Sequence, residues 1–335
     1  LVPAFLGAAY RQYSFMIEAL RETGAELSRK NIQFVMLKGD PADEMSRFAK
    51  KIKASAIVTD FDPLREKREW KARCAALTDV RMYEVDAHNI VPCWEASGKQ
   101  EAGAYTLRPK IKKSLTEYLS DFPDVKRHPY TAERCYDSAD WGELTSFIKA
   151  DKSVGPVSWI KPGCAAAGKA LKNFIGKKLD MYASSGGRPD EDACSDLSPY
   201  LHFGQISAQR AALEVIRSVS GKENKDRFLE ELIIRRELAD NYCFYNRDYD
   251  SFEGIKDWAK HTLKEHSKDK REYVYTALEL EKAATHDELW NASQKEMVFR
   301  GKMNSYMRMY WGKKILEWSR KPREAHETAV YLNDR

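Results

Sequence analysis

The sequence predicts an α/β domain with a parallel sheet, followed by an all-helical domain. Three observations predict it. Residues 10–95 alternate short apolar runs with helical patterns. Residues 121–165 hold Pro123, Pro129, Pro156 and Pro162 and few long periodic runs. From about residue 167 one helical pattern follows another, without a convincing strand. The expected division is therefore 1–120 for the α/β part, 121–165 for an interdomain connection and 166–335 for the helical part.

The elements follow in order. IQFVML (32–37) reads as a strand, ended by Gly39 and Pro41. ADEMSRFAKKI (42–52) is a helix with Met45, Phe48, Ala49 and Ile52 on one face. ASAIVTDF (54–61) is a second strand. PLREKREWKARCAAL (63–77) has Pro near its first turn and continues as a helix. VRMYEVD (80–86) alternates as a third strand. Strand, helix, strand, helix, strand implies parallel strands with covering helices. Such strands need both faces buried, which suits their β-branched content. A short helix is expected near 140–150. Helices are expected over 167–183, 205–219, 225–246, 270–284, 286–299, 302–319 and 322–332. The chain opens without Met and stops at YLNDR inside a helical pattern. The expectation is a fragment lacking sequence at both ends, the first strand of the sheet included.

A chain of 335 residues supports two domains with their own cores. An ordinary apolar fraction and a mean hydropathy of −0.64 place it in the soluble globular class. No apolar run approaches the roughly 20 residues that span a bilayer, and no basic-then-apolar leader opens it. The cysteines (Cys74, Cys93, Cys135, Cys164, Cys194, Cys243) stand singly, without a CxxC pair. That argues against a zinc site or a disulfide framework and suits an intracellular, reducing compartment, cytoplasm or nucleus. The net charge of +5 permits nucleic-acid binding without demanding it. Residues 300–323 carry Arg300, Lys302, Arg308, Lys313, Lys314, Arg320, Lys321 and Arg323 against Glu317 alone. This is either a solvated helix face or a surface turned toward phosphates.

Several chemistries lack their motifs. No GxGxxG or Walker pattern follows a strand, which argues against a Rossmann or P-loop site, although an open α/β sheet can bind a ligand where its strands end. HExxH metal spacing and a GxSxG elbow are missing too. His88, in DAHNIVPCW, reads as a structural interdomain residue.

Three stretches offer chemistry. DACSDLSPYLHFGQIS (192–207) places the oxygens of Ser195, Asp196 and Ser198 ahead of a helix expected from Gln205. That can hold a phosphate or pyrophosphate. Taken alone, the stretch reads first as an N-cap and turn with Pro199 fixing the entry. DRFLEELIIRRELADNYCFYN (226–246) is a strong helix in which Glu231 and Arg235 stand four apart. The default is a surface ion pair; the alternative is a Glu231 in a pocket, sharing a proton with a bound base or tuning a radical anion. In GKMNSYMRMYWGKKILEW, Trp311 and Trp318 are seven residues apart and share a face, and Trp290 lies on the preceding helix. Periodicity alone leaves this stripe as a hydrophobic helix face.

VPAFLGAAYRQYSFM, IVTDFDPLRE, VDAHNIVPCWEAS, LSPYLHFGQIS, EELIIRRELADNYCFYN, THDELWNASQKEM and GKMNSYMRMYWGKKILEW together carry a resemblance. The chain resembles the class II cyclobutane pyrimidine dimer photolyases of the photolyase/cryptochrome family over nearly its whole length. The resemblance implies an N-terminal α/β domain and an all-α FAD-binding domain. It implies light-driven splitting of pyrimidine dimers in UV-damaged DNA, by an electron passed from excited reduced FAD to the flipped-out lesion. A deazaflavin or folate antenna, a monomeric protein and no membrane partner go with it. A cryptochrome-like photoreceptor without repair activity is the alternative, and a cofactor-free nucleic-acid-binding protein the third.

Residue by residue, the resemblance makes Tyr182, Ser195, Asp196, Leu197 and Ser198 cofactor contacts, with Arg308 and Asn333 as the pair near the isoalloxazine. Glu231 corresponds to the acid that hydrogen-bonds the dimer, and Met309 to the side chain packing on it. Arg188 and Arg235 belong to the DNA side. Trp318, Trp290 and Trp311 match the chain that reduces FAD in light, with Tyr310 beside the last and Tyr275 a lesser candidate. The sequence also departs from the family. Gly186 and Gly187 stand where an Arg-Asn pair often holds substrate, with Arg188 just beyond. Arg235 stands where some members place a lesion-stacking Trp, and Asn304 where relatives often have His. The family's usual continuation beyond Arg335 adds an acidic partner for Arg308, further FAD contacts and a DNA-contacting Trp.

Overall fold

The computed structural model of the chain describes residues 1–131, 136 and 140–335; Cys135 lies outside them. Helix α1 (Tyr10–Arg29) is amphipathic and buries Tyr13, Ile17 and Ala19. Helix α2 (Pro41–Ile52) starts on Asp40, whose carboxylate accepts from the backbone N–H groups of Ala42 and Asp43 at 3.0 and 3.1 Å. Strand β1 (Ala56–Asp60), helix α3 (Arg65–Leu77) and strand β2 (Arg81–Val85) complete a parallel βαβ unit, with Ala56 opposite Arg81 and Asp60 opposite Val85.

Two expectations about this sheet need correction. Residues 32–37 form no strand. Their groups are engaged otherwise: Ile32 N–H bonds Leu27 O, Leu37 O takes the Leu1 ammonium at 2.5 Å, and Phe34 stacks on Trp141. The sheet is also covered on one face only. Ile57 packs with Ala42, Ala49 and Cys74. Val58, Tyr83 and Val85 on the strands stay at least half exposed. The apolar content of these strands therefore does not report two buried faces here.

Next come α4 (Cys93–Ala96), α5 (Ala104–Tyr118) and α6 (Trp141–Phe147). Helix α5 was not anticipated, because Pro109 interrupts its pattern. It buries Leu107 and Ile111 in the large core of the helical part. That core continues through α7 (Cys164–Lys177), α8 (Tyr182–Ser185), α9 (Ser198–His202), α10 (Ala208–Arg217) and α11 (Lys222–Leu229). The helix expected from Gln205 begins at Ala208, with the Ser207 hydroxyl accepting from Arg210 N–H as its cap. Helices α11 and α12 (Arg236–Tyr245) run on as one rod through a π-helical turn, Glu230–Arg235.

Helix α13 (Asp257–Glu265) buries none of its residues, which is why no apolar stripe announced it. The helix expected over 270–284 shrinks to α14 (Ala277–Glu281). Thr276 and Glu279 form a capping box that sets its start, and Ala283 in the left-handed region (φ 52°) closes its end. Helices α15 (Glu288–Arg300), α16 (Ser305–Trp318) and α17 (Pro322–Asp334) finish the chain and enclose a second core. Arg11 ties α1 to α15 by donating to Met297 O and Val298 O at 3.3 and 2.6 Å. No described helix is long and apolar enough to cross a membrane.

Candidate active site: an aromatic relay behind a polar rim

The second core is built around three tryptophans. Asp287 caps α15 by accepting from Trp290 N–H at 2.8 Å, which sets the first turn and the indole of Trp290 inside it. Trp290 is fully buried. It lies parallel to Trp311, with centroids 6.4 Å apart and planes 2° apart. It meets Trp318 at 5.7 Å and 68°. The order in space is thus Trp318, Trp290, Trp311, and the two tryptophans that share a face of α16 are bridged by the one on α15. Two of the three indole positions are fixed by more than packing. Trp290 Nε1 donates to Trp311 O at 3.1 Å, and Trp311 Nε1 donates to the buried Gln294 Oε1 at 2.8 Å. Gln294 was not singled out in the sequence; a polar residue one turn past Trp290 on an apolar face was the available signal.

Beyond Trp318 the rings continue. Tyr275 meets it edge-on at 5.5 Å, and His286 at 5.2 Å. Tyr310 does not join them: no ring contact links it to the tryptophans. Its hydroxyl donates to Asp287, and burial and that bond push its pKa up to about 12. The Lys314 ammonium lies over both Tyr310 and Trp318.

A set of polar groups extends from Glu231 to the first turns of α16. Glu231 lies near Tyr182, whose phenol is pushed up to about 12 by burial and then by that carboxylate. The Tyr182 ring is held edge-on between Phe174 and Phe228, at 5.6 and 5.5 Å. Gly186 closes against it: a Cβ there would sit 2.7 Å from Tyr182 O and 3.0 Å from the ring. Cys194 Sγ reaches Gly186 O, and the Asn304 amide reaches both Arg188 O and Cys194 Sγ. Asn304 also caps α16, accepting from Tyr306 N–H. One turn on, Arg308 donates to Asn333 Oδ1 at 3.0 Å. Among the described residues Arg308 has no carboxylate at ion-pair distance. Met309, beside it, is exposed.

The loop before α9 behaves as follows. Asp196 adopts a left-handed conformation (φ 59°) and pairs with Lys178 at 3.3 Å and with Lys302. Lys178 also holds Asp192 at 2.7 Å and the Cys194 carbonyl. Leu197 is buried in the core, and Ser198 opens α9 exposed to solvent. Ser195 Oγ accepts from Leu197 N–H at 3.4 Å. Two ammonium groups therefore converge here, a feature the sequence showed only as scattered lysines.

The default ion pair of Glu231 with Arg235 does not form. In a π turn the bond runs i→i+5, so residue i+5 returns over residue i. Arg235 accordingly pairs with Glu230 (3.3 Å), which Arg108 grips with two nitrogens at 3.0 and 2.7 Å. Glu231 pairs instead with Arg227, one α-turn back, at 3.2 Å. Arg188 pairs with Asp190 and Glu191 at the surface. His88 lies 3.1 Å from Asp240, and its carbonyl takes a bond from Arg236, so it does join the sheet's loop to α12. Beside it Glu237 is buried, with Oε1 accepting from Ile90 N–H at 2.7 Å and Oε2 unpartnered. Burial raises its pKa to about 8.

The chain is similar to known proteins. The DNA photolyase family model matches residues 1–129. The deoxyribodipyrimidine photo-lyase of Potorous tridactylus is 47% identical over the full chain. That of Oryza sativa subsp. japonica is 45% identical over 99% of it. The chain spans 64% of the first relative's length and 68% of the second's. A bacterial class III photolyase from Agrobacterium tumefaciens superposes with a TM-score of 0.71 at 17% identity, over 98% of this chain and 71% of that one.

Proposed function

Because the chain belongs to the DNA photolyase family, we propose that the protein splits cyclobutane pyrimidine dimers in UV-damaged DNA with light, using a reduced FAD. The class II branch is the reading its motifs support. The observation that carries the proposal is the buried row Trp318, Trp290, Trp311, leading to α16 at the level of Arg308. Rings in contact can pass single electrons, and burial holds these three at fixed separations.

The residues present fit a flavin dinucleotide. Arg308 is a guanidinium with one amide partner and no counter-ion among the described residues, and Asn333 Oδ1 and Nδ2 stand beside it. Together they suit a planar heterocycle with acceptors on its edge. Lys178, Lys302, Ser195, Asp196 and Ser198 offer charge and hydrogen bonds for a pyrophosphate and ribitol, and Leu197 with Tyr182 the apolar wall. A reduced flavin held there would supply, on excitation, the single electron that dimer splitting needs.

The chain's own residues position the substrate. Glu231 is half-exposed and accepts from a ring N–H of the flipped-out dimer, leaving Arg227 to do so. Met309 supplies apolar contact, and Arg188 and Arg235 face the phosphates. A deazaflavin or folate antenna and a monomeric, intracellular protein complete the proposal; the described cysteines are all free thiols, as a reducing compartment requires. The test is loss of dimers from an irradiated oligonucleotide by the FAD-loaded full-length protein, in light and in darkness. Loss in light alone is expected, and equal amounts of dimer in both would reject the proposal.

One observation favours a second reading, a cryptochrome-like photoreceptor without repair activity. Gly186 leaves no room for a Cβ against Tyr182. A substrate-holding side chain at that position cannot be accommodated without moving the Tyr182 carbonyl. Photoreduction of FAD without dimer loss is the outcome that reading requires.

A further inference from the structure

We propose that His286 is the base that turns Tyr275 into an electron donor for Trp318, so that the aromatic row ends in a proton-coupled Tyr–His pair at the surface. This rests on the relay reading above. Four contacts define the pair. The Tyr275 ring meets Trp318 at 5.5 Å, and the backbone N–H of Tyr275 bonds Trp318 O at 3.1 Å, pinning the segment to the end of α16. The Tyr275 hydroxyl lies 2.7 Å from His286 Nδ1. The backbone N–H of His286 donates to the same hydroxyl oxygen at 3.0 Å. That leaves the phenol's own proton for Nδ1 and assigns His286 the Nε2–H tautomer.

Tyr273 completes the arrangement. Its ring lies flat on His286, with centroids 3.6 Å apart and planes 16° apart. An imidazolium formed at His286 is stabilised by that face. Both His286 and Tyr273 are exposed, so the charge forms where water can solvate it. Tyr310 shows what is missing elsewhere. It has a carboxylate acceptor in Asp287 but no ring contact with the row.

The step balances. One electron leaves the Tyr275 ring for the Trp318 radical cation and restores neutral Trp318. The Tyr275 O–H bond breaks and an N–H bond forms at His286 Nδ1. The products are a neutral phenoxyl radical and an imidazolium. The oxidant is the Trp318 radical cation, which any one-electron photo-oxidant acting on the row produces.

That property gives a test without flavin. The chain is flashed with a ruthenium polypyridyl sensitiser and a sacrificial electron acceptor, and radicals are followed by transient absorption and electron paramagnetic resonance. A tryptophan radical is expected to convert into a neutral tyrosyl radical, more slowly in D2O. Tyr275→Phe and Trp318→Phe should each remove that conversion. His286→Gln keeps an amide in place but takes no proton, and should slow the conversion ~10-fold or more. His286→Ala should be slow as well, and imidazole in the buffer should restore it. Conversion at the parental rate in His286→Gln, or a persisting tyrosyl signal in Tyr275→Phe, overturns the proposal. A chain that passes this test yet splits no dimers when loaded with FAD refutes the proposed function alone.

Discussion

The row of tryptophans and the polar rim meet at α16, and they are held by different physics. Trp290, Trp311 and Trp318 are buried, neutral and over-determined: each touches several rings or a hydrogen-bond partner that cannot move independently. The rim is held by a few polar contacts, most of them partly exposed. Glu231 has Arg227, Arg308 has Asn333, and Asn304 reaches Cys194. Under the proposed function, electron transfer depends on packing, whereas substrate choice depends on contacts worth little to the fold. Substitutions should separate the two.

The largest effect is expected at the centre of the row. Trp290→Ala empties a fully buried indole site and should destabilise the chain by about 3–5 kcal/mol. Denaturant unfolding measures it. A loss below about 1 kcal/mol would mean that the row is not the structural centre of this core. Trp290→Phe keeps most of the volume, and should slow photoreduction of bound FAD more than it lowers stability.

Next in size is a pH effect behind the rim, at Glu237. Its ordinary value is 4.5, and burial raises it to about 8 in the fold. The native state therefore keeps a proton that the unfolded chain has released. Stability then falls as pH rises from about 4.5 to about 8 and levels off beyond. The groups facing the carboxyl, Arg236, Asp86 and the N–H groups of Ile90 and Val91, modulate this without reversing it. Glu237→Gln carries no titrating proton. It should match the parent in acid and exceed it by a few kcal/mol above the folded value. Parallel unfolding curves for the two at all pH values would show that this carboxyl is not held protonated by the fold.

Much of this contrast could be read in the sequence, and the unread part has physical causes. The spacing of Trp311 and Trp318 placed them on one face, but the bridging position of Trp290 depends on how α15 crosses α16, which no local pattern encodes. EELIIRREL reads as an ordinary helix. Its π turn changed the partners of Glu230 and Glu231 and could not be seen from residue types. Residues 32–37 have strand composition, yet a strand is made by its neighbour, and none pairs with them. Helix α13 was invisible because it buries nothing.

On the rim itself effects on stability should be small and effects on chemistry large. The Glu231–Arg227 pair is exposed and worth about 0–1 kcal/mol. Glu231→Gln should leave unfolding nearly unchanged and lower the yield of dimer splitting per photon absorbed. An unchanged yield would remove Glu231 from the substrate contacts.

The smallest change in the fold is the most informative about which reading holds. A Cβ at Gly187 meets nothing within 4 Å, whereas one at Gly186 would strike the Tyr182 carbonyl at 2.7 Å. Gly187→Asn should therefore be nearly neutral in stability, and Gly186→Asn should be destabilised by displacing Tyr182. If the missing side chains limit substrate binding, Gly187→Asn adds a hydrogen-bonding group next to the Tyr182–Glu231 end of the rim and should raise affinity for a dimer-containing oligonucleotide over an undamaged one. Equal affinity gain for both oligonucleotides would show that the new amide reaches only the backbone. No gain for either would show that lesion recognition lies elsewhere on the rim, with Met309 and Glu231 the next positions to change.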